Sequence, residues 1–305
     1  MWHCGTTQTG HVGLRSDTLR YLVGGRFYRL SWTEWGDPGA PVVLCVHGLT
    51  RNGRDFDTLA EALAARARVI APDLPGRGAS EWLDGPDAYT PACYLQALSH
   101  LLAVVGASPE RPVRWVGTSL GGILGMMVAA GRGHPVARMV VNDIGPHIPA
   151  SALARIADYL RHAPTEFADT VALEEHLRRV HAPFGPLTDA QWRHLAQISG
   201  RALPGGRVTL HYDPAIAAAM LASPLDDVDL WPLWQAGSGI PRLVIRGADS
   251  DLLEAATAER MVADGAGLVV VPGAGHAPAL MDAPTIERIA DFLFDRQLPT
   301  SSHHG

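Results

Sequence analysis

Short apolar runs alternate with longer stretches of helical spacing along most of the 305-residue chain. The short runs are rich in Val, Ile and Leu and lack polar alternation, which is typical of strands buried on both faces of a parallel sheet. The alternation predicts an α/β fold in which helices cover both faces of a mostly parallel sheet. The predicted strands are Val42–Val46, Val69–Ala71, Val113–Val116, Met139–Val141, Leu243–Ile245 and Leu268–Val271, and the predicted helices are Pro91–Val105, Ser119–Ala130, Ala255–Ala263 and Pro284–Phe294.

Two segments depart from this rhythm. Phe27–Trp35 alternates apolar and polar residues, which predicts an antiparallel strand at the edge of the sheet. From about Pro146 to Trp234 no strand-like run occurs, but helix candidates such as Ser151–His162 and Val171–His181 are separated by prolines and turns. Because the sheet pattern resumes afterwards, this interval is interpreted as an insert. The predicted division is a core of residues 1–145 and 235–300, a helical cap of residues 146–234, and a tail of residues 301–305.

Composition and charge narrow the class of protein. The chain is 47% hydrophobic and 18% charged, enough apolar material for one large core. The net charge is −6, and the 25 basic residues form no stripe, which argues against a nucleic-acid partner. The most apolar helix candidate, Leu120–Gly131, is too short to span a bilayer.

The N-terminus and the cysteines bear on the compartment. The first ten residues lack a basic segment followed by an apolar one, so no secretory signal is expected. Cys4, Cys45 and Cys93 have no metal-like spacing, and reduced thiols are expected. We therefore expect a cytoplasmic protein without a membrane partner; the sequence leaves its oligomeric state open.

The segment Gly117-Thr118-Ser119-Leu120-Gly121 carries the clearest chemical signal. It matches G-x-S-x-G, and it lies between a predicted strand and a predicted apolar helix. A serine in such a tight turn needs small neighbours, since the strand and helix backbones almost touch beside it. The pattern predicts Ser119 as a nucleophile.

A serine nucleophile needs a base, because its hydroxyl is weakly nucleophilic at neutral pH. Among the 14 histidines, His276 follows the last predicted strand in the loop Val271–Pro278. Functional groups of a parallel sheet gather at this carboxyl edge. The position predicts His276 as the base for Ser119.

The third triad member should be a carboxylate that orients His276. Strand Leu243–Ile245 is followed by two candidates, Asp251 and Asp249, in the expected order after the serine and before the histidine. Asp251 is preferred, because the leucines after it lead into the next helix. Asp249 remains an alternative, and so does Asp143, which ends the preceding strand.

An oxyanion hole completes the predicted site. The amide of Leu120, at the start of the helix, supplies one donor, and the amide of Leu49 in the loop after Val42–Val46 supplies the second. Gly48 permits the tight turn there, and His47 is interpreted as structural. Arg51 in the same loop is expected to anchor the loop by a salt bridge, with contact to an acidic substrate group as the alternative.

Taken together, these motifs resemble the α/β-hydrolase superfamily. The matching residues are His47-Gly48, residues 73–80 (DLPGRGAS), the Gly117–Gly121 segment and Gly275-His276, and the resemblance spans roughly residues 17 to 297. It implies an eight-stranded sheet with a helical cap and no need for a metal or organic cofactor. One departure concerns the acid: many members read G-x-x-D after the acid-bearing strand, whereas Ser250 lies three residues after Gly247.

The expected activity is hydrolysis of a small or medium uncharged carboxylic ester through an acyl-enzyme. The sequence leaves open a C–C bond hydrolase or lactonase with the same triad. It also leaves open a non-catalytic small-molecule-binding protein on the same fold.

Overall fold

A sheet of eight strands runs through residues 14–294, the part of the chain that the computed structural model describes. The strands of these residues, in chain order, are β1 (Arg15–Val23), β2 (Arg26–Trp35), β3 (Val42–Val46), β4 (Arg68–Asp73), β5 (Val113–Thr118), β6 (Val136–Asn142), β7 (His147–Ile148), β8 (Gly200–Ala202), β9 (Val208–Leu210), β10 (Val228–Asp229), β11 (Arg242–Gly247) and β12 (Gly267–Val271). The α-helices are α1 (Asp57–Leu63), α2 (Pro91–Val104), α3 (Leu120–Ala129), α4 (Ala150–His162), α5 (Thr170–Val180), α6 (Asp189–Ser199), α7 (Pro214–Ala222), α8 (Trp231–Ala236), α9 (Ala255–Ala263) and α10 (Ala283–Phe294).

The strand order of the large sheet is β1-β2-β4-β3-β5-β6-β11-β12. The six strands from β4 to β12 are mutually parallel, whereas β1 and β2 are antiparallel to their neighbours. The predicted strand Phe27–Trp35 forms most of β2, but β1 takes the edge position. The sequence did not predict β1, because RSDTLRYLV is largely polar and gives no clear hydrophobic alternation. The glycines Gly24 and Gly25, both with positive φ, close the hairpin between the two strands.

The strands beneath the site are apolar because both of their faces are covered. In β3, Val43 and Cys45 belong to one buried cluster with helices α1 and α10, while Leu44 and Val46 belong to another with α2 and α3. Successive side chains of a strand point to opposite faces, so a strand covered on both faces shows no polar alternation.

The segment between β6 and β11 is mainly helical, from α4 to α8. The expectation that it contains no strands is wrong in detail, since β7 pairs with β10 and β8 pairs with β9. These strands have two or three residues each, too few to give a recognisable periodic pattern. The pairing of β7 with β10 ties the beginning of the segment to its end.

The same segment is joined to the sheet region by backbone hydrogen bonds. The amide of Gly78 donates to the carbonyl of His211 at 2.9 Å, and the amide of Asp213 donates to the carbonyl of Gly76 at 2.8 Å. The phenol of Tyr89 donates to the Asp213 carboxylate at 2.5 Å. The segment is therefore held against the loop after β4, beside the carboxyl edge of the sheet.

Within residues 14–294, no helix combines the length and the apolar character that a membrane span needs. Cys45 and Cys93 are buried free thiols. Cys4, the first ten residues and the tail of residues 301–305 lie outside the described part of the chain.

Candidate active site

Five loops bring polar groups to the carboxyl edge of the sheet. Leu49 follows β3, Ser119 follows β5, Asp143 follows β6, Ser250 follows β11 and His276 follows β12. These five strands are parallel, so their carboxyl ends meet at one edge, where open α/β sheets place their sites. The residues come from distant parts of the sequence, and the strand order makes them neighbours.

Ser119 lies in a strained turn between β5 and α3. Its φ of 51° and ψ of −114° fall outside the regions that L-residues usually adopt. The turn requires its glycines: a Cβ on Gly117 would lie 2.3 Å from the carbonyl oxygen of Gly121, and a Cβ on Gly121 would lie 1.9 Å from that of Val46. The amide of Ser119 donates to the carbonyl of Asn142 at 3.0 Å, which ties the turn to β6.

A row of hydrogen bonds links Ser119 to His276 and Asp143. His276 Nε2 lies 3.0 Å from Ser119 Oγ, and His276 Nδ1 lies 2.9 Å from Asp143 Oδ2. A carboxylate can only accept here, which assigns the proton of the neutral imidazole to Nδ1 and leaves the Nε2 lone pair facing the serine. This is the arrangement in which an imidazole takes the proton of a serine hydroxyl.

Asp143 is fully buried and its carboxylate accepts three hydrogen bonds. Oδ1 accepts from the amide of Gly247 at 2.8 Å, and Oδ2 accepts from Ser250 Oγ at 2.6 Å as well as from His276. The residue has a φ of 54°, and its own amide donates to the carbonyl of Ile245 at 2.8 Å. These contacts fix the carboxylate between β6 and β11.

The preference for Asp251 as the partner of His276 is therefore corrected. Asp251 is about half exposed and makes a bidentate ion pair with Arg155, whereas the hydrogen bond of His276 Nδ1 goes to Asp143. The alternative Asp249 is also exposed, and its amide bonds to the carbonyl of Ala274. Asp143, the third candidate, is the carboxylate that touches His276.

Ser250 is the sequence signal that could have indicated Asp143 as the partner of His276. It occupies the position where the resemblance places the acid, and its hydroxyl is spent on the Asp143 carboxylate. A serine there lacks the charge of a carboxylate, and the carboxylate that contacts His276 comes from another strand end. Since β6 lies between β5 and β11, a carboxylate at its end reaches the same imidazole.

The two predicted oxyanion donors lie beside Ser119. Leu120 is the first residue of α3, where a backbone N–H has no acceptor within the helix. Leu49 lines the same cavity as Ser119. An amide at a helix N-terminus and a second amide from the neighbouring loop are suited to a developing negative charge.

His47 fixes the peptide that carries the Leu49 amide. Its Nε2 accepts from the amide of Leu74 at 2.9 Å, so Nδ1 bears the proton and donates to the carbonyl of Gly48 at 2.7 Å. Burial, with a smaller contribution from the cation of Arg77, lowers the pKa of His47 to about 3, so the ring stays neutral. The interpretation of His47 as structural agrees with these contacts.

The cavity above Ser119 has a volume of about 430 Å³. Its lining is mostly apolar and comes from the sheet edge and from the segment between β6 and β11. Representative lining residues are Ile123, Ile144, Ile156, Leu160, Phe184 and Met220. An apolar cavity with a few polar groups at one end is typical of a small-molecule site.

Two arginines also line the cavity. Arg51 is 7% exposed and holds Asp55 through Nε at 2.8 Å and Nη2 at 2.6 Å. Burial opposes its charge, but the adjacent Asp55 outweighs this and raises the pKa of Arg51 above its ordinary value. Arg155 is the partner of Asp251 and is about half exposed. Among residues 14–294, no group of three or more His, Cys, Asp or Glu side chains could hold a metal ion.

Comparison with known proteins identifies the family. The model of the alpha/beta hydrolase family matches residues 43–288, and the chain belongs to this family. The α/β-hydrolase fold predicted from the sequence is thereby confirmed, as is the eight-stranded sheet.

Individual relatives place the chain among hydrolases. It is 40% identical over 277 residues to a 3-hydroxybutyrate-oligomer hydrolase of Cupriavidus necator. The matched region covers 87% of this chain and 93% of the relative. A putative hydrolase from Rickettsia typhi has a similar structure, with a TM-score of 0.85 and 31% identity over 94% of this chain and all of that one. An alpha/beta hydrolase from Novosphingobium aromaticivorans has a TM-score of 0.82 and 36% identity over 93% of this chain and 99% of that one. The relatives support an enzyme that hydrolyses esters, at the level of the family.

Proposed function

We propose that this protein hydrolyses carboxylic esters through an acyl-enzyme formed on Ser119, with His276 as general base and Asp143 as the orienting acid. The observation that carries the proposal is the hydrogen-bonded row from Ser119 through His276 to Asp143 at the foot of an apolar cavity. The proposal changes the acid predicted from the sequence and keeps the nucleophile and the base.

In the first half of the reaction, Ser119 Oγ attacks the ester carbonyl carbon while its proton passes to His276 Nε2. The amides of Leu49 and Leu120 donate to the carbonyl oxygen as it gains negative charge. His276 then donates the proton to the leaving alcohol, and the acyl group remains on Ser119.

In the second half, His276 takes a proton from a water molecule, which attacks the acyl carbon. Collapse of this intermediate releases the carboxylic acid and returns the proton to Ser119. Asp143 stays ionised throughout and stabilises the imidazolium that forms twice in each cycle.

Esters of short hydroxy acids are the proposed substrate class. The relative from Cupriavidus necator is a 3-hydroxybutyrate-oligomer hydrolase, and this chain covers 93% of its length. A cavity of about 430 Å³ is large enough for a small oligoester, and its apolar lining suits the methyl-bearing chain of such a compound.

We further propose that residues 146–234 act as a cap on a core made of the flanking residues. Side chains from this segment, among them Ile156, Leu160, Phe184 and Met220, line the cavity opposite the sheet edge. Access of substrate to Ser119 then depends on how this segment packs.

A pair of serine variants tests the mechanism. Ser119→Ala should remove turnover of p-nitrophenyl butyrate and of the 3-hydroxybutyrate dimer, and it should remove covalent labelling by a fluorophosphonate probe. Ser223→Ala, a change at an exposed serine after α7, is the matched control and should leave both intact. Turnover and labelling that persist in Ser119→Ala would contradict the proposal. In the wild type, labelling of Ser119 without turnover of either ester would favour another reaction at the same serine.

A further inference from the structure

The charged residues that line the cavity are all cationic. Arg51 and Arg155 line it, whereas none of the lining residues is an Asp or a Glu. The carboxylates that pair with these arginines, Asp55 and Asp251, are not among the lining residues. The charged part of the cavity lining is therefore cationic.

One guanidinium nitrogen of Arg51 is left unpaired for a ligand. Asp55 takes its Nε and Nη2, and in the described residues 14–294 the remaining nitrogen, Nη1, has no hydrogen-bond partner. The side chain is more than nine-tenths buried, so its solvation is already replaced by protein contacts. A buried guanidinium with an unused N–H edge on a cavity can bind an anionic oxygen strongly.

The side chain of Arg51 begins next to the nucleophile. A Cβ built on Gly48 would lie 3.7 Å from Ser119 Cβ and 3.9 Å from Arg51 Cγ, so Gly48 separates the two by one small gap. The guanidinium extends from there toward Phe184, with Cζ 5.7 Å from the ring centroid. Ser119 and the side chain of Arg51 thus flank the same glycine, and both residues line the cavity.

Neutral polar groups surround the same end of the cavity. Tyr159 and His181 both line it, and His181 stacks on Phe184 with ring centroids 4.4 Å apart. Burial, together with the cation of Arg51, lowers the pKa of His181 well below its ordinary value, so this ring is neutral at pH 7. Arg51 is therefore the cationic group at this end of the cavity.

Arg155 differs in its surroundings. Its side chain is 47% exposed, and its Nε and Nη2 are both bonded to Asp251, which is equally exposed. An exposed ion pair is screened by solvent and has little influence on a nearby charge. Arg51 is the better candidate for direct contact with a ligand.

We propose that Arg51 binds a carboxylate carried by the substrate, so that the preferred esters bear a negative charge a few bonds from the scissile carbonyl. The inference rests on the proposed ester hydrolysis at Ser119 and adds to it the charge of the substrate. Asp55 orients the guanidinium from one edge, and the substrate carboxylate bonds to the other. Oligomers of a hydroxy acid have such a group, because each chain ends in one free carboxylate.

Matched substrates test the charge preference. On the alcohol side, 3-acetoxybutanoate is compared with 3-acetoxybutanamide, which has the same shape without the charge. On the acyl side, mono-p-nitrophenyl adipate is compared with p-nitrophenyl adipamate. We expect the charged member of at least one pair to have the higher kcat/KM, by about 10- to 100-fold, as for a hydrogen bond to a charged group.

Variants then assign the preference to a residue. Arg51→Gln combined with Asp55→Asn removes both charges of the ion pair together and avoids leaving a buried carboxylate without its partner. We expect the charged-to-neutral ratio of kcat/KM to fall to about 1 in this variant, mainly through KM. Arg155→Gln is the control and should keep the wild-type ratio; thermal unfolding monitored by circular dichroism shows whether each variant is folded.

Two results would overturn the inference. One is a wild-type ratio near 1 for both substrate pairs, and the other is an equal loss of the ratio in Arg155→Gln, which would indicate a general field of the cavity. Neither touches the proposed function, since the neutral esters would still be cleaved by the wild type and not by Ser119→Ala. If the double variant does not fold, Arg51→Lys tests the guanidinium geometry instead: the lysine keeps the charge and its pairing with Asp55 but lacks the second N–H edge, so the ratio should again fall.

Discussion

Asp143→Asn should reduce turnover far more than it reduces stability. In the wild type, Oδ2 accepts from His276 Nδ1 at 2.9 Å and from Ser250 Oγ at 2.6 Å, while Oδ1 accepts from the amide of Gly247 at 2.8 Å. In the variant the amide oxygen keeps the Gly247 bond, so the NH₂ group faces the imidazole. The ring then has to accept at Nδ1 and carry its proton on Nε2, where it cannot take the proton of Ser119.

The expected loss in kcat is about 10⁴-fold, the size found when the acid of a serine triad becomes an amide. That corresponds to about 5 kcal/mol of transition-state stabilisation. Initial rates with p-nitrophenyl butyrate at saturating substrate measure the change. Circular dichroism and urea unfolding verify that the fold of the variant is intact.

Asp251→Asn is the decisive comparison, because the sequence favoured this residue. It removes an ion pair between two half-exposed side chains, which contributes about 0–1 kcal/mol to stability and nothing to the orientation of the imidazole. We expect the kcat of Asp251→Asn to lie within about threefold of the wild-type value. A large loss in Asp251→Asn together with near-normal turnover in Asp143→Asn would refute the assignment of the acid.

Three further predictions concern Ser250, Gly121 and His47. Adding Ser250→Asp to Asp143→Asn should raise kcat/KM at least about tenfold above the single variant, because a carboxylate at position 250 can reach the imidazole from the neighbouring strand. No gain in steady-state assays would show that a carboxylate after β11 does not reach His276. Gly121→Ala should lower the free energy of unfolding by about 3 kcal/mol or more in urea titrations, since its Cβ would lie 1.9 Å from a carbonyl oxygen. Gly239 has open space around it, so Gly239→Ala should change the free energy of unfolding little. Equal effects of the two variants would contradict the packing argument. The pKa of His47 is lowered to about 3 in the folded protein, so between about pH 6.5 and 3 the unfolded chain binds a proton that the folded chain does not. The free energy of unfolding should therefore fall as pH is lowered through that window, by at most about 1.4 kcal/mol per pH unit. His47→Asn should show a smaller slope of unfolding free energy against pH, and identical slopes would exclude this contribution.

The turn at Ser119 was predictable because its signal is local. A turn this tight tolerates only glycine at positions 117 and 121, so the sequence records the geometry directly. The helix and strand on either side show their own periodicity. The same holds for His276, which follows the last strand of a sheet whose pattern is evident.

The edge strand β1 and the short strands β7 to β10 were missed for a different reason. β1 is mostly polar, and the four short strands have at most three residues each. Their pairing depends on a partner strand already in place, and no pattern within so few residues reports it.

The acid shows where the sequence stops being informative. Asp143, Asp249 and Asp251 all follow a strand that ends at the same edge of the sheet, and spacing alone does not separate them. The choice depends on which carboxylate is buried, which one is paired with a basic side chain such as Arg155, and where β6 lies relative to its neighbours.

By itself, then, the sequence determined the fold and the serine turn between strand and helix, and it singled out His276 and the loop of Leu49 as candidates, since each depends on backbone constraints among neighbouring residues. Only the tertiary structure decided the partner of His276, the double role of Arg51 as loop anchor and cavity lining, and the shape of the cavity. Those features are contacts between side chains that are far apart in the chain, and their energies depend on burial and distance, which periodicity does not encode.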